Sequence, residues 1–174
     1  MPREMRVVPY DPAWPALFER EKAALEGVFG PLLVDIQHFG STAIPGMSAK
    51  PIIDVMAVAA RIEGVDAYNE AMIRAGYTPR GENGMPGRRY FVRYREDGEN
   101  HAAHVHIHGP GNAHTADELL FRDFLCENRE AFLQYESVKL DAAEKYRWSP
   151  LEYTDAETGC VMEIMAKARE HHAP

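Results

Sequence analysis

The stretch from Ile36 to Ala59, IQHFGSTAIPGMSAKPIIDVMAVA, narrows the possible folds of this chain more than any other. A short apolar entry, Ile36 to Phe39, runs into a Gly40-Ser41-Thr42 turn and a Pro45-Gly46 loop that closes on Lys50-Pro51. An apolar run follows, broken by one carboxylate, Asp54. Read as a strand, Ile52 to Val58 is apolar on both faces, which suits a strand covered on both sides. An ionised Asp54 in such a strand is costly unless a cation or a basic side chain meets it. Gly40-Ser41 can present backbone N–H groups to an anion. Together they make a minimum kit for handling a nucleotide. The plain structural alternative is an ordinary turn, with Asp54 satisfied by backbone N–H groups or by Lys50.

Length and charge bound the rest. The chain has 174 residues, 45% of them hydrophobic, enough to bury one sizeable core without staples. A single domain over 1–174 is expected. A formal charge of −8 argues against a general nucleic-acid or anionic-membrane binder, because both need a basic footprint. Cys126 and Cys160 stand far apart with no Cys-x-x-Cys, so neither a zinc framework nor a disulfide scaffold is expected. The N-terminal segment MPREMRVVPYDPAW has no apolar signal core, and no stretch approaches the roughly 18 apolar residues of a membrane span. These features suit a cytoplasmic protein.

Along the chain, Pro15 opens a helix to Phe29 that Gly30-Pro31 stops, with Leu17, Phe18, Glu21, Leu25, Val28 and Phe29 as its stripe. Leu32 to Phe39 reads as a first strand and Pro51 to Ala60 as a second. Gly64 to Gly76 reads as a helix, and Tyr77 to Pro79 begins a further strand. Arg80 to Gly87 is a Gly- and Pro-rich loop. Arg88 to Arg95 and Ala102 to His108 form an antiparallel hairpin around Asp97-Gly98. Everything after Asn112 is helical in character. Thr115 with Glu118, and Thr154 with Glu157, have the spacing of capping boxes.

Three groups could carry chemistry. Alternate strand positions share a face, so a metal pair bridged by two acids would need a carboxylate at position 56, where this chain has Met56. The strand supplies one acid only. His104, His106 and His108 share one face of their strand. Neutral imidazoles suit Zn, Mn, Fe or Ni, and equally serve hydrogen bonds or proton transfer along a cleft. His104 and His106 are the cleft candidates. Arg80 to Arg95 holds five arginines against one acid, Glu82. A guanidinium pair beside a Gly-rich loop can clamp phosphate or carboxylate, and Arg88 and Arg89 are the candidates. The alternative is an edge strand kept soluble by charge.

The sequence resembles the GrpB-like family, within the superfamily of minimal nucleotidyltransferase folds. The resemblance covers nearly the whole chain. It rests on Tyr10-Asp11-Pro12-x-Trp14, Phe18-x-x-Glu21, Gly40-Ser41-Thr42 through Pro45-Gly46, Lys50-Pro51-x-x-Asp54 and Gly76-Tyr77. Further along it rests on Pro86-Gly87-Arg88-Arg89, His104-x-His106, Phe121-Arg122-Asp123-x-Leu125 and Tyr135-Glu136-x-x-Lys139. It implies an α/β (α+β) fold, with a minimal nucleotidyltransferase-like mixed sheet flanked by helices over about residues 1–110 and a helical packing segment over about 113–172. It also implies a Gly-Ser turn entering a helix near nucleotide phosphates and Asp54 as the metal-binding acid. Family members occur fused to dephospho-coenzyme A kinase domains, a pointer toward nucleotide or cofactor metabolism.

The leading expectation is a nucleotidyltransferase-like protein that binds a nucleoside triphosphate with Mg²⁺ or Mn²⁺ in a cleft and can pass a nucleotidyl group to a small acceptor. Gly40, Ser41, Thr42 and Lys50 would hold phosphates, Asp54 the metal, and Arg88 and Arg89 the transferred group or acceptor. His104 or His106 would act as base or extra ligand. The alternative is a non-catalytic nucleotide- or cofactor-binding regulatory module with a degenerate metal site. A third reading, a metal enzyme centred on the histidine strand of a barrel, conflicts with the helical C-terminal third.

Overall fold

The structure, a computed structural model, describes residues 4–173; Met1 to Arg3 and Pro174, at the ends of the expected 1–174 domain, lie outside them. The chain forms two compact units. One comprises Pro12–Phe39 and Ile52–Thr115, and the other the described residues of Met1–Asp11, Gly40–Pro51 and Ala116–Pro174. The fold is α+β with a mixed sheet.

The first unit holds helix α1 (Trp14–Phe29) and strands β1 (Leu33–Phe39) and β2 (Ile53–Ala59). A 3-10 stretch, Ile62–Tyr68, runs into the short helix α2 (Asn69–Arg74), followed by β3 (Tyr77–Pro79), β4 (Arg89–Tyr94) and β5 (His101–His108). Pro15 sits in the first turn of α1, where its missing N–H costs nothing. Gly30, at φ 52°, ends the helix. The strands lie in the order β1-β2-β5-β4-β3. β2 and β5 run parallel at the centre, and the other pairs are antiparallel. The expected hairpin is β4–β5.

Residues paired across a ladder share a face, so the register divides the sheet. Val55, Ala57, Phe91, Val105 and Ile107 form an apolar face with almost no exposure. α1 packs on it: Phe18 stacks on His38 with ring centroids 4.8 Å apart, and Phe29 meets Phe91 edge-on at 6.4 Å. Burying each such side chain contributes about 1.5–3 kcal/mol. The opposite face carries Asp54, Met56, Val58, His104, His106 and His108.

The second unit holds most of α3 (Ala113–Glu127), together with α4 (Arg129–Lys145) and α5 (Pro150–His171). Its core includes Phe124, Leu125, Phe132, Tyr135 and Ile164 and also Ile44 and Met47 from the 40–51 segment. Val8 and Ala49 are joined by an isolated antiparallel bridge. The helix starts differ from the capping-box expectation. Asn112 accepts from the Thr115 N–H at 3.2 Å, so Asn112 caps α3 and Thr115 lies inside it. The Thr154 hydroxyl donates to the Pro150 carbonyl at 2.9 Å, within an α5 that begins at Pro150. In both cases a residue upstream starts the helix first, an Asn cap or a Pro at the first turn. No helix among the described residues is long and apolar enough to cross a membrane.

One charged network is buried in the sheet unit. Glu21 of α1, 2% exposed, accepts hydrogen bonds from Tyr77 and from the Arg93 guanidinium, whose Nε lies at 3.2 Å. Burial pushes the Tyr77 hydroxyl up to about 12, so it remains a donor throughout the neutral range. Replacing Arg93 by Met should leave Glu21 buried without its cation and cost about 3 kcal/mol. Urea unfolding of wild type and Arg93→Met measures this, and equal midpoints would contradict it.

Candidate functional site

Asp54 sits at the second residue of β2, and the parallel register sets it opposite His104 of β5. His106 follows two residues on, on the same face. The Asp54 Oδ1 lies 3.2 Å from His104 Nδ1 and 3.9 Å from His106 Nε2. The three side chains are half-buried, at 27%, 18% and 15% exposure for Asp54, His104 and His106. Burial works against an ionised Asp54. Hydrogen bonds and charge from His104 and His106 outweigh it and hold the carboxyl well below the usual carboxylate range. His106 moves down from its ordinary value because it is buried, which favours the neutral imidazole.

The surrounding residues fix these rings. Phe39, the register partner of Asp54 on β1, meets His106 edge-on with centroids 5.0 Å apart. Tyr90, opposite His106 on β4, meets the same ring at 4.9 Å. Arg88 is 8% exposed; its Nε and Nη2 donate to the Glu82 and Asn83 carbonyls at 3.2 and 2.7 Å. Its Nη1 stands 3.4 Å from His106 Nδ1. A guanidinium only donates, so that nitrogen is the acceptor and His106 Nε2 carries the proton toward Asp54. His101 Nδ1 lies 2.7 Å from His104 Nε2, on the side of the ring away from Asp54.

The sequence-derived candidates therefore divide. Asp54, His104, His106 and Arg88 come together. Arg89 stands on the other face of β4 and forms a bidentate pair with Asp66 at 2.6 and 3.1 Å. Gly40, Ser41, Thr42 and Lys50 belong to the helical unit. Gly40 takes φ 71°, a left-handed backbone that favours glycine, and opens a single 3-10 turn, Ser41–Ala43. Thr42 is buried, Ser41 hydrogen-bonds the Tyr135 side chain, and Lys50 Nζ lies 4.6 Å from the centre of the Tyr153 ring. Asp54 is thus met by imidazoles, the partner that neither plain structural alternative named.

Sequence reasoning missed His101. Period-two alternation puts it on the face away from His104, but the β4–β5 register shifts between Arg93 and Tyr94, so that Tyr94 pairs with His101 and Ala102 is skipped. The Asp97-Gly98 turn beside the hairpin was the available signal for irregular pairing. Met56 has a definite role as well: its Sδ takes the Thr115 hydroxyl at 3.7 Å.

The donor set tests the magnesium expectation. Among the described residues Asp54, His104 and His106 are the one group of three potential ligands close enough to hold a metal ion. Mg²⁺ takes oxygen ligands in octahedral geometry, and one carboxylate with two imidazoles does not fit it. Two histidines and one carboxylate with open positions suit a first-row transition ion.

A half-buried Asp/His cluster on the polar face of a mixed sheet in an α+β protein defines the class. The chain belongs to the GrpB protein family, whose model matches residues 4–167. The solved structure of the conserved protein GrpB from Enterococcus faecalis aligns over 97% of this chain and 100% of that one, at TM-score 0.89 and 32% identity. The UPF0157 protein YqkA of Bacillus subtilis is 40% identical over 83% of this chain. The chain spans 41% of YqkA's length. A dephospho-CoA kinase of Mycolicibacterium paratuberculosis is 32% identical over 81% of this chain and 40% of its own length.

His108, next on the histidine face, is fully buried, and neither ring nitrogen has a hydrogen-bond partner among the described residues. Burial lowers it from 6.5 to about 4, with His114, His106 and Arg88 adding to the shift. A histidine depressed in the fold costs nothing above its unfolded value. As pH falls from 6.5 to about 4 the unfolded chain takes up the proton first and stability is lost. The melting temperature should therefore drop through that window, and His108→Leu should flatten the profile. An unchanged slope in the variant, followed by scanning fluorimetry, would contradict this.

Proposed function

We propose that this protein binds a nucleotide or a nucleotide-containing small molecule together with a divalent cation held at Asp54. The observation that carries the reading is an aspartate kept ionised in a half-buried setting, beside two imidazoles and a nearly buried arginine. Asp54 takes the cation, Arg88 takes phosphate or carboxylate, and His106, whose neutral form burial favours, can accept a proton or a ligand bond. Gly40, Ser41, Thr42 and Lys50 are assigned phosphate contacts on the sequence resemblance. Arg89, paired with Asp66, also donates to the Arg88 carbonyl and so supports the end of the loop that carries Arg88. Of the magnesium or manganese that the resemblance implies, manganese is the better match to two imidazoles. The dephospho-CoA kinase relative motivates including coenzyme A among the candidate ligands.

Met56 favours a second form of this reading. With a thioether bound to Thr115 where a bridging acid would stand, the site handles one cation. That suits binding without turnover, a regulatory module, whereas transfer of a nucleotidyl group to a small acceptor is the catalytic form. Nucleotidyl transfer that disappears in Asp54→Ala would establish the catalytic form.

Thermal unfolding against a panel of nucleotides and coenzyme A, with and without Mg²⁺ or Mn²⁺, tests the binding itself. A ligand at about 100 times its dissociation constant adds roughly 2.7 kcal/mol, a rise of several degrees. The expected result is a metal-dependent rise that Asp54→Asn abolishes. No rise with any nucleotide would reject the reading.

A further inference from the structure

We propose that Asp54, His104 and His106 form a site for a single first-row transition ion that excludes magnesium, with His101 as the positioning residue that sets the His104 tautomer. The proposed site depends on Asp54 holding a cation, as above, and not on the ligand being a nucleotide.

Donor atoms each about 2.1 Å from a shared ion stand roughly 3.0–3.4 Å apart in octahedral or tetrahedral geometry. Asp54 Oδ1 and His104 Nδ1, at 3.2 Å, already meet that spacing; His106 Nε2, at 3.9 Å from Asp54 Oδ1, has to close by at least about half an ångström, and the three donor atoms all lie within 4.8 Å of one another. The three donors come from adjacent, hydrogen-bonded strands, so the backbone holds them without a loop having to order. Three protein ligands leave the remaining coordination positions for water or a ligand oxygen.

The outer contacts separate the two histidines. A His104 that ligates through Nδ1 carries its proton on Nε2, and His101 Nδ1 waits 2.7 Å away to accept it. Metal-bound histidines commonly have such a partner, and losing it typically weakens affinity 10- to 100-fold. At His106 the neighbour opposes the ion. Arg88 needs a lone pair on Nδ1, which leaves the proton on Nε2, the nitrogen that faces Asp54. Binding must reverse that tautomer beside a fixed guanidinium. Arg88 therefore weakens the site, and its removal should tighten it.

The test is Co²⁺ titration of tag-free protein, followed by its visible absorption and by calorimetry, with Zn²⁺ and Mg²⁺ as competitors. One equivalent of Co²⁺ should bind, Zn²⁺ should displace it, and a hundredfold excess of Mg²⁺ should not. Asp54→Asn and His104→Gln should each lose at least 100-fold in affinity while keeping the wild-type circular dichroism. His101→Phe should lose 10- to 100-fold and shift the absorption band, and His101→Gln, which keeps an acceptor, should recover most of both. Arg88→Met should bind roughly tenfold tighter. Displacement by Mg²⁺, no Co²⁺ bound to folded wild type, or full affinity in Asp54→Asn would overturn the site. Equal behaviour of His101→Phe and wild type would overturn the positioning role. Co²⁺ binding without any nucleotide-induced melting shift would leave the site standing and remove the nucleotide reading; the reverse pattern would remove the site alone.

Discussion

The candidate site depends on one register: β2 lies parallel to β5 with Asp54 opposite His104 and Met56 opposite His106. Side chains alternate along a strand, so a slip of one residue would send Asp54 into the apolar face under α1 and bring Val55 out. Val55, Ala57, Val105 and Ile107 forbid that slip, since all four have essentially no exposure where they are. The packing that stabilises one face of the sheet therefore aligns the chemistry on the other. An ionised carboxylate in the middle of such a sheet would be costly, and the cross-strand imidazoles are what offset that cost.

Much of this was legible in the chain. The doubly apolar run around Asp54 required a covered strand, and the period-two histidines required a shared face; both are local patterns. The β4–β5 hairpin followed from aromatic and β-branched runs on either side of Asp97-Gly98. The central partnership was not legible, because nothing in the sequence of β2 names β5 as its parallel neighbour across some forty intervening residues. His101 was hidden by a bulge, which changes which residues share a face without changing composition. Lys50 was read as a candidate partner for the aspartate, but its ammonium lies over the Tyr153 ring in the helical unit, a contact 103 positions along the chain. Local rules also placed two helix starts a few residues late, because Asn112 and Pro150 act before the Thr residues that carry the capping-box spacing.

The histidine face is graded along β5. His104, at the Asp54 end, has polar partners on both ring nitrogens, in Asp54 and His101. His106 has Asp54 at longer range and Arg88 on the other nitrogen. His108 is fully buried and has no such partner among the described residues. Solvent access and hydrogen bonding thus fall together from one end of the strand to the other, and burial favours the neutral form at His106 and His108. Three identical side chains on one face acquire three different chemistries from depth and neighbours alone.

The same geometry explains how the site differs from one built on paired acids. Positions i and i+2 on one strand are about 6.8 Å apart, far enough for two acids to bridge a pair of ions, whereas neighbouring strands are about 4.8 Å apart. Here the i+2 position is Met56, whose sulfur is taken by the Thr115 hydroxyl. The groups that meet Asp54 come instead from across the ladder, at His104 and His106. In the proposed site two of the three donors are therefore imidazole nitrogens rather than carboxylate oxygens. A single carboxylate favours one ion over two, and two imidazoles favour a transition ion over magnesium.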